Sequence, residues 1–196
     1  MTALVVVPAA PLLLPGAGQE TPPGVEPVLA ACDEILAAAL PADGDVTVVA
    51  TADHMRDLVG DPVRTRDCMG HRVAGSLLDR VGHTGVRVSL TATGGMPQPA
   101  GGTWVFVCDG SASVGQKSPR PGPVGAQVDE LISAALAEGD LAALGTLDDT
   151  LAAAAGCTTA AVWRALASVG SALPTAMVSH APYGVTYFVA RLDSRA

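Results

Sequence analysis

The chain has 196 residues, a formal charge of −8 and 49 % apolar content, with only six aromatic side chains. That length suits a single domain over residues 1–196, with enough apolar mass to bury a sizeable core of small side chains. The acidity, and the lack of a Lys/Arg stripe that could neutralise phosphates, exclude non-specific nucleic-acid binding, and no apolar stretch reaches the length of a membrane span.

Taken in chain order, Ala3 to Val7 is a Val-rich apolar run ended by Pro8, which reads as a buried strand. A long Pro/Gly loop follows to Gly24. Val25 to Leu40 places Val28, Leu29, Cys32, Ile35, Leu36 and Leu40 at helical spacing, and Pro41-Ala-Asp-Gly stops that helix. Val46 to Ala50 is a second buried strand, and Thr51 to Gly70 is left unassigned. A surface helix is expected over Val73 to Val81, a strand over Val86 to Thr91 and a strong strand over Thr103 to Cys108. A second Gly/Pro/Ser loop covers Gly110 to Pro123. Val124 to Glu138 is a helix, with short helices over Leu141 to Leu144, Asp148 to Ala155 and Thr159 to Val169. Met177 to His180 and Val185 to Arg191 close the chain as two strands, expected to be an antiparallel pair. Alternating strands and helices predict an α/β sandwich, a central mixed sheet flanked by helices. Both long loops follow strands, and the carboxyl ends of strands are where such folds place their ligands.

Cys32, Cys68, Cys108 and Cys157 are widely spaced, without a C-x-x-C pair, so no zinc ribbon or dithiol redox motif is expected. The apolar start lacks a basic segment and is broken by Pro8, Pro11 and Pro15, which reads as a cytoplasmic chain with reduced thiols. Ten Arg against one Lys, and no Asn, point to high-GC codon usage.

Gly110-Ser-Ala-Ser-Val-Gly-Gln-Lys117 has the outline of a phosphate loop, but Gln116 separates the second glycine from Lys117. The prolines from Pro119 to Pro123 forbid the helix such a loop must lead into. Ser111 is not in a G-x-S-x-G elbow and reads as a turn serine bonded to backbone. The four histidines, His54, His71, His83 and His180, show no H-x-x-x-H or H-x-H spacing. His54, beside Asp53 after a buried strand, is the strongest functional candidate among them; the others read as surface or hydrogen-bonded structural residues.

Three segments carry a resemblance that spans nearly the whole chain. Val5-Val-Val-Pro-Ala-Ala-Pro-Leu-Leu-Leu-Pro15 is similar to an opening P-H-P-P-L-L-x-P. Val107-Cys-Asp-Gly-Ser-Ala112, followed by Val128 to Leu144, is similar to a G-D-x-S-H strand end and a helix closing on A-x-G-D-x-x-A-L. Ala181-Pro-Tyr-Gly-Val-Thr-Tyr-Phe-Val-Ala190 is similar to a closing A-P-Y-G-V-x-Y strand. In this order and spacing the segments resemble the LigB-like family of class III extradiol ring-cleavage dioxygenases and its actinobacterial relatives. The resemblance implies a LigB-like sandwich of the phosphorylase/hydrolase type. It also implies Fe(II) held by two His and one carboxylate, with a further His as acid/base.

Carried over by position, the family's ligands fall at Ala9, His54 and Ala154, and its acid/base group falls at Ala112. A methyl group donates no lone pair to iron, and loss of the acid/base group alone costs about a hundredfold in rate. The expectation is therefore a pseudoenzyme without a cofactor, binding a small aromatic or other small molecule in a cleft near His54, Asp53, Asp109, Ser111 and His180. One alternative is an oxidoreductase using Fe(II) on substitute ligands drawn from His54, Asp53, Asp109 and His180. Another is a chain that works as a homodimer or with a companion subunit.

Overall fold

A continuous apolar strand needs cover on both faces, and this sheet receives it from two helical layers. The structure, a computed structural model, describes residues 2–15, 22–41, 43–51, 68–92, 96, 98–99, 101–115, 118 and 122–194. Its strands are β1 (Ala3–Val7), β2 (Val46–Ala50), β3 (Arg87–Thr91), β4 (Thr103–Val107), β5 (Ala172–His180) and β6 (Tyr187–Ser194). Its helices are α1 (Glu26–Ala39), α2 (Met69–Arg80), α3 (Pro123–Glu138), α4 (Asp149–Ala155) and α5 (Ala160–Ala167), with 3-10 turns over Pro11–Leu13 and Leu141–Thr146. The strands form one six-stranded sheet in the order β3-β2-β4-β1-β6-β5. The first four are parallel; β6 is antiparallel to both β1 and β5. The expected mixed α/β sandwich is what forms, and the closing pair is antiparallel.

Alternation along the central strands divides the core in two. Leu4, Val6, Trp104, Phe106 and Cys108 face α3, α5 and Leu141–Thr146. Val5, Val7, Val105 and Val107 face α1 and α2. The aromatics Trp104, Phe106, Trp163 and Phe188 all lie on the α3/α5 side, while the opposite side is packed almost entirely with Val, Leu, Ala and Cys. Gly70 lets α2 settle onto this second face, since a Cβ there would lie 2.8 Å from the Ala50 Cβ.

Three elements differ from the sequence expectations. β5 starts at Ala172, well before Met177. Pro174 hides its first half from sequence reading, but on an edge strand a missing N–H need face no partner. α2 starts at Met69 rather than Val73, because its first turn carries Gly70 and His71 where an apolar stripe would be sought. His71 and His83, read as surface or hydrogen-bonded structural residues, are both buried and hydrogen-bonded. His71 Nε2 meets the Leu90 carbonyl at 3.1 Å, and His83 Nε2 meets the Gly44 carbonyl at 2.7 Å. Leu141–Thr146 is a 3-10 turn, whose three-residue period buries Leu141 and Leu144 together. No helix among the described residues is long and apolar enough to cross a membrane.

Candidate functional site

The parallel strands end together, at Val7, Ala50, Thr91 and Val107. β5 runs in the same sense as β1 because two antiparallel steps separate them, so His180 ends at this edge and β6 begins there at Tyr187. Val7 pairs with Val107, and the Cys108 N–H continues the ladder to the Val7 carbonyl at 2.9 Å. One step further, the Ala9 N–H donates to Asp109 Oδ1 at 2.9 Å. Ala9 and Asp109 are thus brought together by strand register.

The Asp109 backbone is held from the α5 side. Its carbonyl accepts from Trp163 Nε1 at 2.8 Å, Thr159 Oγ1 at 3.1 Å and Cys157 Sγ at 3.5 Å. Its N–H donates to Thr159 Oγ1 at 2.9 Å. The carboxyl points into a crowded edge. Part of the residue's surface still meets solvent, but burial pushes its pKa from 3.8 up to about 7, opposed by the single Ala9 N–H. The neighbouring Tyr187 phenol is pushed up to about 12, first by burial and then by the Asp109 charge.

A carboxyl whose native pKa is raised stays protonated in the folded state while the unfolded chain ionises. Its contribution to stability is complete below pH 3.8 and is lost as pH rises through about 7. Discounted for the partial exposure, the loss is on the order of 2–3 kcal/mol. Urea unfolding across this window is expected to show wild-type stability falling with pH relative to Asp109→Asn. Parallel profiles for the two proteins would remove the assignment.

Ser111 belongs to a second cluster. Its hydroxyl and its N–H both donate to the Asp129 carboxylate on α3, each at 2.7 Å, and Thr186 Oγ1 donates to the same group at 2.5 Å. The expected backbone-bonded turn serine is therefore corrected: a helical carboxylate accepts the hydrogen bond of its hydroxyl, a contact that sequence spacing does not reveal. This bond holds the hydroxyl as a donor in a buried cluster. Gly110 fits between these groups because a Cβ there would lie 2.6 Å from Asp129 Oδ1 and 2.8 Å from the Phe188 ring. The Gly110 N–H donates to the Thr186 carbonyl at 2.7 Å, and the Thr186 N–H donates to the Ser111 carbonyl at 2.8 Å.

Two clefts flank this loop. One, of about 600 Å³, is floored by the methyl groups of Ala112, Ala152, Ala153, Ala160 and Ala161, with Arg164 at its rim. Ala112 is fixed there by its N–H, which donates to the Ala155 carbonyl at 2.9 Å. The other, of about 370 Å³, holds His180 with Asp129, Ser133 and Thr186. Asp109, Ser111, Ala9, Ala112 and His180 therefore all belong to the carboxyl edge, but in separate niches. Ala154 is exposed on α4. Asp53 and His54 lie outside the described residues.

Sequence reading missed Asp129, Thr159, Trp163 and Thr186. Asp129 stands beside the buried Val128 on α3, and a carboxylate next to an apolar stripe is the one local signal that could have singled it out. The contact between Trp163 and Asp109 spans 54 positions and has no local signal.

No protein-family model matches the chain, and no curated protein matches it.

The described residues do not fit the Fe(II) centre that the resemblance implies. Two of the family's positions, Ala9 and Ala112, present methyl groups at the edge, and a third, Ala154, faces solvent. Among the described residues no three His, Cys, Asp or Glu side chains converge on a point where a metal ion could sit.

Proposed function

We propose that the chain is a LigB-like domain that has kept the family's scaffold and lost its iron chemistry, and that binds a small molecule at the carboxyl edge of the sheet. One observation carries this reading. At the junction of β1 and β4, where a ligating imidazole would stand, the Ala9 methyl sits beside a desolvated Asp109 that is bonded to the Ala9 backbone. A carboxyl poised near neutrality is well placed to exchange a hydrogen bond with a polar ligand.

The neighbouring cleft lined by Ala112, a separate niche of the same edge, supports the reading by its volume, which lies in the range of small-molecule pockets. We place the protein in the cytoplasm, in keeping with four buried cysteines that form no disulfide.

Elemental analysis of the purified protein, combined with a catechol-cleavage assay, tests the reading. We expect substoichiometric iron and no ring-opened product. A screen of small aromatic compounds by thermal shift should find stabilising ligands, and Ala112→Trp should abolish that stabilisation by filling the cleft. Stoichiometric iron with ring opening sinks the proposal, as does ligand stabilisation that Ala112→Trp leaves intact.

A further inference from the structure

The sheet has two outer strands, and they are finished differently. β3 opens on Arg87, which is ion-paired to Asp79 at 2.8 Å, and a charge on an edge strand discourages further pairing. β5 pairs with β6 along one side, and no described strand lies along the other. None of the chain's 11 Lys/Arg or 19 Asp/Glu residues falls within Ala172–His180.

The first half of β5 is broken by Pro174 and by a bulge between Pro174 and Ala176, two devices that spoil pairing. The second half carries neither. Its register with β6 runs unbroken from Ala176 to His180, and Ala176 and Val178 are both exposed. Met177 packs against the core on the α3 side, so by alternation Ala176 and Val178 lie on the opposite side. Both α1 and α3 contact β5, so a chain continuing the sheet here meets helix as well as strand.

We propose that this half-strand is the interface of a homodimer, in which β5 pairs antiparallel with β5 of a second copy across a twofold axis at Val178. Symmetry and charge select a second copy. In a pairing centred on Val178, that residue faces its own copy and Ala176 faces His180 of the partner subunit, while Pro174 and the bulge stay outside the paired stretch. One unguarded stretch therefore supplies both sides of the contact. The chain carries a charge of −8, so two copies repel one another over most approaches. The charge-free half-strand lets them meet without placing like charges opposite each other. The charges on β6, Arg191 and Asp193, lie 3.6 Å apart and offset one another.

Sedimentation velocity of the full chain, at concentrations up to about 100 μM, is expected to show a dimer. Val178→Lys sets two ammonium groups against each other at the axis and is expected to weaken dimerisation by at least about tenfold. Val178 is 39 % exposed, so the circular dichroism spectrum of that variant should be unchanged. Val178→Cys is expected to give a disulfide-linked dimer under mild oxidation, because the residue faces its copy and the four native cysteines are buried. If Val178→Lys did not fold, cross-linking of Val178→Cys decides. A wild type that stays monomeric at this concentration overturns the proposal and leaves the edge to a different partner. So does a folded Val178→Lys protein that dimerises as the wild type does, or a Val178→Cys protein that dimerises without cross-linking.

Discussion

Asp129→Ala is expected to destabilise the protein by about 3–5 kcal/mol, because three donors lose their acceptor at once. The Asp129 carboxylate receives the Ser111 N–H, the Ser111 hydroxyl and the Thr186 hydroxyl. Ser111 is fully buried and Thr186 nearly so, so water does not readily replace the lost partner. A charge-assisted bond is worth more than a neutral one, and an orphaned buried N–H costs its full desolvation. For a domain of this size the loss corresponds to a fall in Tm of about 10 °C. Asp129→Asn keeps one acceptor oxygen and is expected to lose about half as much. Thermal unfolding of the two variants separates the cases. Equal stability of Asp129→Ala and the wild type would mean that the cluster does not anchor the strand-end loop. The same substitution should weaken the proposed ligand binding, since the loop that Asp129 anchors carries Ala112, which lines the larger cleft.

The second large effect lies on the other side of the same loop. Trp163 is fully buried, stands edge-on to Phe188 at a centroid distance of 6.0 Å, and donates its indole N–H to the Asp109 carbonyl at 2.8 Å. Trp163→Ala leaves a cavity, a lost aromatic contact and a carbonyl missing its strongest donor, and should cost about 4–5 kcal/mol. Trp163→Phe keeps most of the volume and the ring contact while removing the N–H, and should cost about 1–2 kcal/mol. Urea denaturation followed by circular dichroism measures both. If the Phe variant were as unstable as the Ala variant, the hydrogen bond rather than the packing would dominate, contrary to the expectation. Asp109 would also shift in Trp163→Ala, so the pH dependence assigned to its carboxyl should weaken there while persisting in Trp163→Phe.

These two anchors explain why the site is only half legible from sequence. Asp109 and Ser111 stand out because they follow Val107 and Cys108 at the end of a strong strand, and strand ends are where α/β folds carry ligands. Their partners do not. Asp129 is 18 positions from Ser111 and Thr186 is 57 from Asp129. Nothing local in a helix with apolar spacing says which of its polar residues turns inward. Ser111 reads as backbone-bonded for the same reason: turn chemistry is local, whereas a carboxylate arriving from α3 is a tertiary event. His71 and His83 show the limit from another side. Sequence leaves each as either a surface or a hydrogen-bonded structural residue, because burial of a lone imidazole depends on a carbonyl supplied from elsewhere, Leu90 for one and Gly44 for the other.

The elements themselves are largely written in local pattern. Val-rich runs with proline or glycine at their ends predict β1, β2 and β4, and helical spacing of apolar residues predicts α1 and α3, because burial of a periodic face is a property of the segment. β5 escapes in part, since Pro174 is a strand breaker in general and harmless only on an edge, and edge position is decided by the other strands.

What this sequence determined on its own is an alternation of apolar strands and amphipathic helices. What only the tertiary structure decided is strand order, and with it which distant groups meet. The order brought Ala9 to Asp109, and Asp129 to Ser111 and Thr186. Periodicity is encoded within each segment, whereas a contact between segments depends on how all of them share one core.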